Sequence, residues 1–231
     1  MNPQILIVDD EKEIADLLEV YLANDNYSVK KAFNGIDAMQ LIETEKFNLA
    51  ILDVMLPDIS GFNLCKKIRE KHFFPIIMLT AKVEDIDKIT GLSFGADDYI
   101  TKPFNPLEVV ARVKSQLRRY SNYNKQIELD SQSKLYDIRG LYVDVDTHIC
   151  TLFDEKIDLT PIEFSILCYL CERKDKVVSS EELFEAVWKE KFYDNNNTVM
   201  AHIARLRDKL HEPARKPRFI KTIWGVGYKL E

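Results

Sequence analysis

Two folded units are predicted: an α/β unit on a five-stranded, doubly wound parallel sheet over residues 1–119, and an α+β unit over residues 139–231, joined by a linker at 120–138. Three patterns carry this expectation. Continuous apolar runs such as Leu49 to Leu52 read as strands buried on both faces, the signature of a parallel sheet covered by helices. Five such runs alternate with segments of helical periodicity, which is the repeat of a βαβ sheet. Beyond Leu141 the pattern becomes short alternating strands, then three helical stripes and a closing hairpin. A chain of 231 residues has room for about two ordinary domains.

The first unit begins with a strand over Ile5 to Val8. Ile14, Leu17, Leu18, Tyr21 and Leu22 recur at helical spacing and give one buried helix face. Tyr27 to Ala32 and Ile36 to Ile42 supply the second strand and helix. The third strand delivers Asp53 at its carboxyl end; Pro57 and Gly61 mark the turn, and Leu64, Cys65 and Ile68 stripe the third helix. Pro75 opens the strand Ile76 to Leu79, which ends in Thr80. Ile86, Ile89 and Leu92 lie on a fourth helix that Gly95 breaks. Asp98 to Thr101 leads to Lys102 and Pro103, and Leu107, Val110, Val113 and Leu117 stripe the fifth helix. Tyr120 to Ile138 carries no sustained apolar period and is the linker, although Leu135 to Ile138 can already belong to the next unit.

In the second unit Leu141, Val143 and Val145 alternate with polar residues, and Ile149 to Phe153 and Lys156 to Leu159 suggest further strands around a turn at Asp154-Glu155. Thr160-Pro161-Ile162-Glu163 combines an N-cap, a first-turn proline and a capping-box glutamate, so a helix starts there. Phe164, Leu167, Cys168 and Cys171 fill its stripe. Ser179 and Glu182 form a second capping box before Leu183, Val187 and Trp188. A third helix runs from about Thr198 to Leu210, with Val199, Ile203, Leu206 and Leu210 on its core side. Phe219 to Ile223 and Tyr228 to Leu230 form a hairpin through Trp224-Gly225-Val226-Gly227.

Composition narrows the function classes. Hydrophobic residues make up 46% of the chain and charged residues 30%, as in a globular soluble protein. Neither a membrane-length apolar run nor a leader-like start at Met1 is present, so cytoplasmic residence is expected. Four cysteines are too sparse for a disulfide framework, and the C-x-x-C of Cys168 and Cys171 sits in an apolar helical stripe without a second ligand pair, which favours core packing over zinc. The net charge of −6 argues against nonspecific nucleic-acid affinity for the whole chain. Its distribution matters more: Thr198 to Glu231 holds eight Lys and Arg against three Asp and Glu, a local +5.

Open parallel sheets place their chemistry beyond the carboxyl ends of the strands. There the sequence puts Asp9, Asp10 and Glu11, then Asp53, Thr80 and Lys102. Acids, a hydroxyl and an ammonium on one crevice suit phosphoryl transfer to a carboxylate, which depends on positioning and on neutralising phosphoryl oxygens. Hard oxygen ligands suit Mg²⁺.

In order and spacing this constellation resembles the receiver domain, with its flavodoxin-like or CheY-like fold, of two-component response regulators. The resemblance implies that Asp53 is the phosphoacceptor; that Asp10, Asp53 and the Met55 carbonyl hold Mg²⁺, with Asp9 acting through a water; that Lys102 pairs with the phosphoryl group; and that Thr80 and Tyr99 are switch residues. Such a chain is not an enzyme acting on other molecules, but it assists its own phosphotransfer and dephosphorylation. Met55 and Lys82 flank the site at positions that affect hydrolysis in relatives.

The charged positions on the fourth and fifth predicted helices resemble the OmpR and PhoB subfamily. There the resemblance implies homodimerisation through Lys88 with Glu108, Asp97 with Arg119, and Asp98 with Arg112. Exposed pairs of this kind contribute only about 0 to 1 kcal/mol each, so they set register and partner choice more than affinity.

The second unit resembles the winged-helix DNA-binding effector domain of the same regulators, through Thr198-Val199, His202-Ile203, Arg205-Leu206-Arg207 and Gly225-Val226-Gly227-Tyr228. The third helix is expected to present Ala201, Ala204, Arg205 and Asp208, flanked by His202, Arg207 and Lys209, to a major groove. Arg205 is assigned to a base edge, because Arg binds guanine bidentately. Thr198, His202 and Arg207 are assigned to phosphates, with Lys209 on the same basic face and Lys221 and Thr222 in the wing. Two departures stand out. Ala204 occupies a position where Arg is frequent, and Trp224 one where the wing often has Arg, which puts the wing contacts in doubt.

The runs Ile5 to Glu11, Asp87 to Phe104 and Thr222 to Lys229 resemble most the VanR-type regulators of glycopeptide resistance. Partners implied are promoter DNA with repeated half-sites, a sensor histidine kinase, a second copy of the chain on phosphorylation, and RNA polymerase near Phe192 and Tyr193; no membrane is implied. Two rival α/β readings fit less well. A dehalogenase-like phosphatase needs a second acid where Met55 stands, and a flavodoxin-like cofactor binder needs a phosphate loop after the first strand. A constitutive, phosphorylation-independent DNA-binding regulator remains the nearest alternative.

Overall fold

The computed structural model describes residues 2–81, 95–125, 134–189, 197–213 and 216–231, with only the backbone described for 121–125 and 197. The chain divides into two compact units, Met1–Tyr120 and Ser121–Glu231.

In the first unit, β1 (Gln4–Val8), β2 (Ser28–Ala32), β3 (Leu49–Asp53), β4 (Ile76–Ala81) and β5 (Asp98–Lys102) form one sheet in the order β2-β1-β3-β4-β5. All four pairings are parallel, as the continuous apolar runs required. Successive strand residues point to opposite faces, and the two faces have separate cores. Leu6, Val8, Ala50, Leu52, Ile76 and Met78 pack with Ala38, Ile42, Leu64 and Ile68 of the helices Gly35–Thr44 and Gly61–Arg69. Ile5, Ile7, Leu49, Ile51, Ile77 and Leu79 pack with Ala15, Leu18, Leu22, Val110 and Val113 of the helices Lys12–Asn24 and Pro106–Lys125. Only β2 and β5 are edges, and their burial is correspondingly partial. This is the doubly wound arrangement expected.

Side-chain caps start two of these helices. Asn34 accepts from the Asp37 N–H, and Ser60 from the Asn63 N–H. Asp58, in the loop after β3, accepts from the Gly35 and Ile36 N–H groups at 2.8 Å each, tying that loop to the start of a helix. The expected fourth helix, with Lys88, lies outside the described residues, as does the site-flanking Lys82.

The boundaries of the linker differ from expectation. The Pro106–Lys125 helix continues past 119, and Leu135–Ile138 is already a strand, β6. The polar composition that read as linker did not exclude helix, because polar residues such as Gln, Lys and Arg are themselves good helix formers.

In the second unit β6, β7 (Leu141–Asp144), β8 (Ile149–Leu152) and β9 (Glu155–Lys156) form an antiparallel sheet in sequence order. Two of its turns have two residues with both φ positive, Arg139-Gly140 and Phe153-Asp154, the geometry whose twist matches paired strands. The expected turn at Asp154-Glu155 therefore sits one residue earlier, and the strand expected over Lys156 to Leu159 is instead the short β9. A Cβ on Gly140 would meet the Phe153 ring at 2.5 Å, so the two turns touch.

The Thr160 capping box forms as expected: its hydroxyl accepts from the Glu163 N–H at 3.4 Å, and Glu163 accepts from the Thr160 N–H at 2.9 Å. The helix runs Pro161–Glu172. At the next helix, Ser180–Trp188, only half of the expected box is made, because Ser179 caps Glu182 while the Glu182 carboxylate turns to Tyr169 and Arg173. The Asn197–Lys209 helix packs Val199, Ile203 and Leu206 into the core together with Trp188. Strands β11 (Ile220–Ile223) and β12 (Gly227–Leu230) form the expected hairpin, and an unforeseen strand β10 (Val177–Ser179) adds to β12. Gly227 makes that pairing possible, since a Cβ there would lie 2.0 Å from the Val178 carbonyl oxygen. All four cysteines are free thiols, and Cys65, Cys150 and Cys171 are buried, as the core-packing reading expected.

Candidate functional site

The loop after β1 and the ends of β3, β4 and β5 meet at the carboxyl edge of the parallel sheet. Asp9, Asp53 and Thr80 are buried there, and Asp10 is exposed. Carboxylate oxygens of Asp9, Asp10 and Asp53 lie within 4.8 Å of one another, and no comparable group of three occurs elsewhere among the described residues. Lys102 enters from β5. Its Nζ donates to Asp53 Oδ2 at 2.7 Å and to Asp9 Oδ2 at 3.0 Å, with Glu11 Oε1 at 3.3 Å. Burial disfavours the charged ammonium, but its bonds to Asp53 and Asp9 outweigh this and hold the Lys102 pKa well above the ordinary lysine value. Asp9 titrates above the usual carboxylate range because it is buried, an effect that Lys102 opposes and the neighbouring Asp53 reinforces.

The backbone fixes the second oxygen of each acid. Asp53 Oδ1 accepts from the Met55 N–H at 3.2 Å, and Asp9 Oδ1 from the Glu11 N–H at 3.0 Å. Each carboxylate thus keeps one oxygen on its own loop and turns the other toward the crevice. Met55 itself is exposed. Thr80 donates to the Ala81 carbonyl at 2.9 Å, and Tyr99 is half-buried against the core beneath the second and third helices. Behind the site, Gly61 lies so close to β3 that a Cβ would fall 1.9 Å from the Asp53 carbonyl oxygen. The Gly61 N–H donates to the Val54 carbonyl. Sequence reading treated Gly61 as a turn residue and missed this contact.

The charged face expected to pair two copies looks different. Asp97 is 1% exposed, and its Oδ2 accepts from Arg69 Nη2 at 2.5 Å and from the Ile76 N–H at 2.8 Å. Asp97 therefore serves the interior, with Arg69 of the third helix as a partner that the sequence reading did not name. Asp98 and Glu108 both bind Arg112 of the same chain, at 3.0 Å each. Lys88 lies outside the described residues.

The Asn197–Lys209 helix also departs from expectation. Thr198 and His202 are buried, so their assignment to phosphates is corrected; the His202 ring stacks edge-on against Trp188, with centroids 5.4 Å apart. Arg205 is only 11% exposed, lies 3.7 Å from Glu163 and bonds His202 Nδ1 at 2.6 Å, so it does not project outward as expected of a base-reading residue. Arg207 donates to the Ile220 carbonyl and to Thr222 Oγ1. Lys209 donates to Glu163 at 2.7 Å and to the Asp158 carbonyl. Lys221 pairs with Glu231. The exposed row is Met200, Ala204 and Asp208, one residue per turn. Long basic side chains beside that row fold back, Arg207 toward nearby Glu212 and Arg205 and Lys209 toward buried Glu163, a partner distant in sequence.

Comparison with known proteins agrees with this architecture. Residues 5–114 match the response regulator receiver domain family, and residues 154–230 match the family of transcriptional regulatory proteins defined by their C-terminal domain. The regulatory protein VanRc of Enterococcus gallinarum is 61% identical over the full length of both chains. The chain belongs to the OmpR/PhoB family of two-component response regulators. VanR of Enterococcus faecium is 52% identical, again over both full lengths. Among solved structures, the response regulator DrrB of Thermotoga maritima, an OmpR/PhoB homologue, is 36% identical with a TM-score of 0.52, the match covering 100% of this chain and 99% of that one. The chain is thus a DNA-binding transcription regulator of a two-component system. Among the described residues no helix is long and apolar enough to cross a membrane.

Proposed function

We propose that phosphorylation of Asp53 switches this regulator, with a sensor histidine kinase as donor. The observation that carries the reading is the Lys102 ammonium 2.7 Å from Asp53, inside a cluster of three carboxylates. A carboxylate oxygen of Asp53 forms the new bond to phosphorus as the phosphorus–nitrogen bond of the donor phosphohistidine breaks, and Lys102 neutralises the charge arriving on the phosphoryl oxygens. Asp10, Asp53 and the Met55 carbonyl, with Asp9 through water, would hold Mg²⁺, which supplies further positive charge there. Thr80 and Tyr99 are the groups that respond. The chain assists its own phosphotransfer and hydrolysis and acts on no other substrate.

The added charge favours a homodimer through the face bearing Glu108 and Arg112, and two effector units then bind adjacent half-sites of promoter DNA with raised effective concentration. RNA polymerase is the further partner. The similarity to VanRc and VanR favours target promoters of the VanR type. Intact mass and oligomeric state after treatment with acetyl phosphate and Mg²⁺ test the proposal. A single phosphoryl group gained only with Mg²⁺, absent in Asp53→Asn and accompanied by dimerisation, is expected. Dimers that form equally without modification would replace the switch with a constitutive regulator.

A further inference from the structure

The loop between β3 and the Gly61–Arg69 helix, residues 54–60, carries Met55, whose carbonyl is one of the groups assigned to Mg²⁺. Backbone bonds fix the two ends of this loop. The Val54 N–H donates to the Leu79 carbonyl at 3.0 Å, the Met55 N–H to Asp53 Oδ1 at 3.2 Å, and the Gly61 N–H to the Val54 carbonyl at 2.9 Å. In between, Met55, Pro57, Asp58 and Ser60 are exposed and belong to no strand or helix. A loop so placed keeps one position only if something distant holds its middle.

That hold is Asp58. Its Oδ1 accepts from the Gly35 N–H and its Oδ2 from the Ile36 N–H, at 2.8 Å each. These are the first two residues of the Gly35–Thr44 helix, whose opening N–H groups have no partner within the helix. Two oxygens on two successive N–H groups fix the carboxylate in orientation as well as position, and the positive end of the helix favours its charge. The junction is also packed: a Cβ on Gly35 would lie 2.5 Å from Ile59 Cγ1, so loop and helix start touch beside the bonds. The same helix has a local cap, Asn34, which accepts from the Asp37 N–H at 2.8 Å. Helix start and loop can therefore be perturbed separately.

We propose that Asp58 is a positioning residue for the metal: by clamping residues 54–60 to the start of the Gly35–Thr44 helix, it holds the Met55 carbonyl where a cation shared with Asp10 and Asp53 needs it. This rests on the Mg²⁺ and phosphorylation reading and adds a residue that is not itself a ligand. Mg²⁺ demands near-ideal octahedral geometry, so a displaced carbonyl is felt in affinity. Groups that orient metal ligands from outside the coordination sphere commonly change affinity by roughly 10- to 100-fold when removed.

The test uses the full-length chain, first titrated with Mg²⁺ alone in a calorimeter and then followed by intact mass during acetyl phosphate treatment across Mg²⁺ concentrations. Asp58→Ala should bind Mg²⁺ about tenfold more weakly and need about tenfold more of it for half-maximal phosphoryl uptake, while uptake at saturating Mg²⁺ stays within about twofold of native. Asp58→Asn keeps one of the two bonds, because its amide nitrogen is a donor, and should fall between. Being isosteric, it carries the same comparison if Asp58→Ala does not fold. Asn34→Ala loosens the same helix start without touching the loop and should bind Mg²⁺ like the native chain. The proposal is overturned if the Asp58 variants bind Mg²⁺ like the native chain, if Asn34→Ala weakens binding as much as they do, or if saturating Mg²⁺ fails to restore their uptake. A native chain that binds Mg²⁺ but gains no phosphoryl group would sink the phosphorylation reading and leave the clamp to be decided by the titration. A native chain that binds no Mg²⁺ overturns both.

Discussion

Arg69 and Asp97 form a buried ion pair of 2.5 Å that fastens the end of the third helix to the approach to β5. Arg69 also donates to the carbonyls of Gly95, His72 and Phe74, and Asp97 accepts from the backbone of Ile76. Removing one partner of such a pair leaves an uncompensated buried charge. Arg69→Ala should therefore lower receiver stability by about 3 to 5 kcal/mol, whereas loss of an exposed dimer contact would change it by less than about 0.5 kcal/mol. Both tryptophans lie in the effector unit, so urea unfolding followed by hydrogen exchange on receiver amides, with tryptophan emission as an internal control, separates the two.

Gly61 supports the phosphoacceptor strand from behind. A methyl group at this position would lie 1.9 Å from the Asp53 carbonyl oxygen and 3.0 Å from Val54 Cα, both backbone atoms. Gly61→Ala should cost about 1 to 3 kcal/mol, as overpacking does, and should also slow phosphoryl uptake from acetyl phosphate by shifting Asp53. A variant of native stability and uptake rate would show that the loop after β3 yields freely.

Lys102 is the cation that faces the phosphoacceptor. Its removal by Lys102→Ala should slow phosphoryl gain by about a hundredfold or more, the usual consequence of deleting one preorganised charge-stabilising group. Mass spectrometry over time measures this directly, and uptake at the native rate would remove Lys102 from the mechanism.

Glu163 gives the effector unit an acid sensitivity. Burial pushes its carboxyl upward, but Arg205 and Lys209 outweigh this and hold it below its ordinary value of 4.5. A depressed folded-state value stabilises the fold above about pH 4.5, and that contribution is lost as pH falls through the lowered value. Urea midpoints read by tryptophan emission should fall more steeply below pH 4.5 in the native chain than in Glu163→Gln. Parallel curves would show that the pair contributes nothing to the linkage.

Thiol reagents should leave the buried cysteines untouched. Burial pushes the Cys150 and Cys171 thiols up to about 12 and Cys168 higher still, so the reactive thiolate is scarce at neutral pH. Labelling of Cys150, Cys168 and Cys171 should appear only as the effector unit unfolds, and that of Cys65 only as the receiver unit does. Rapid labelling of Cys168 in the folded chain would contradict this.

The crevice was legible because its members sit at strand ends. A parallel sheet places every carboxyl end on one edge, so Asp9, Asp53, Thr80 and Lys102 must converge once the apolar runs are recognised as strands. The Thr160 capping box was legible for a similar local reason. Tyr99, by contrast, could be placed on β5, but its half-burial follows from the core beneath the distant helices Gly35–Thr44 and Gly61–Arg69. Strand β10 went unseen because three residues carry no periodic signal, and their pairing with β12 depends on the close approach at Gly227.

The sequence by itself determined the order of elements, the two-unit organisation, the parallel sheet and the acidic crevice, because periodicity, strand-end position and capping act within a few residues. The tertiary structure alone decided the partners of long charged side chains. Asp97 turned inward to Arg69, and Arg205 and Lys209 folded back to Glu163, because a buried carboxylate must find a cation wherever packing provides one. Charge signs can be read along a chain; the burial that selects among them arises only when distant segments meet.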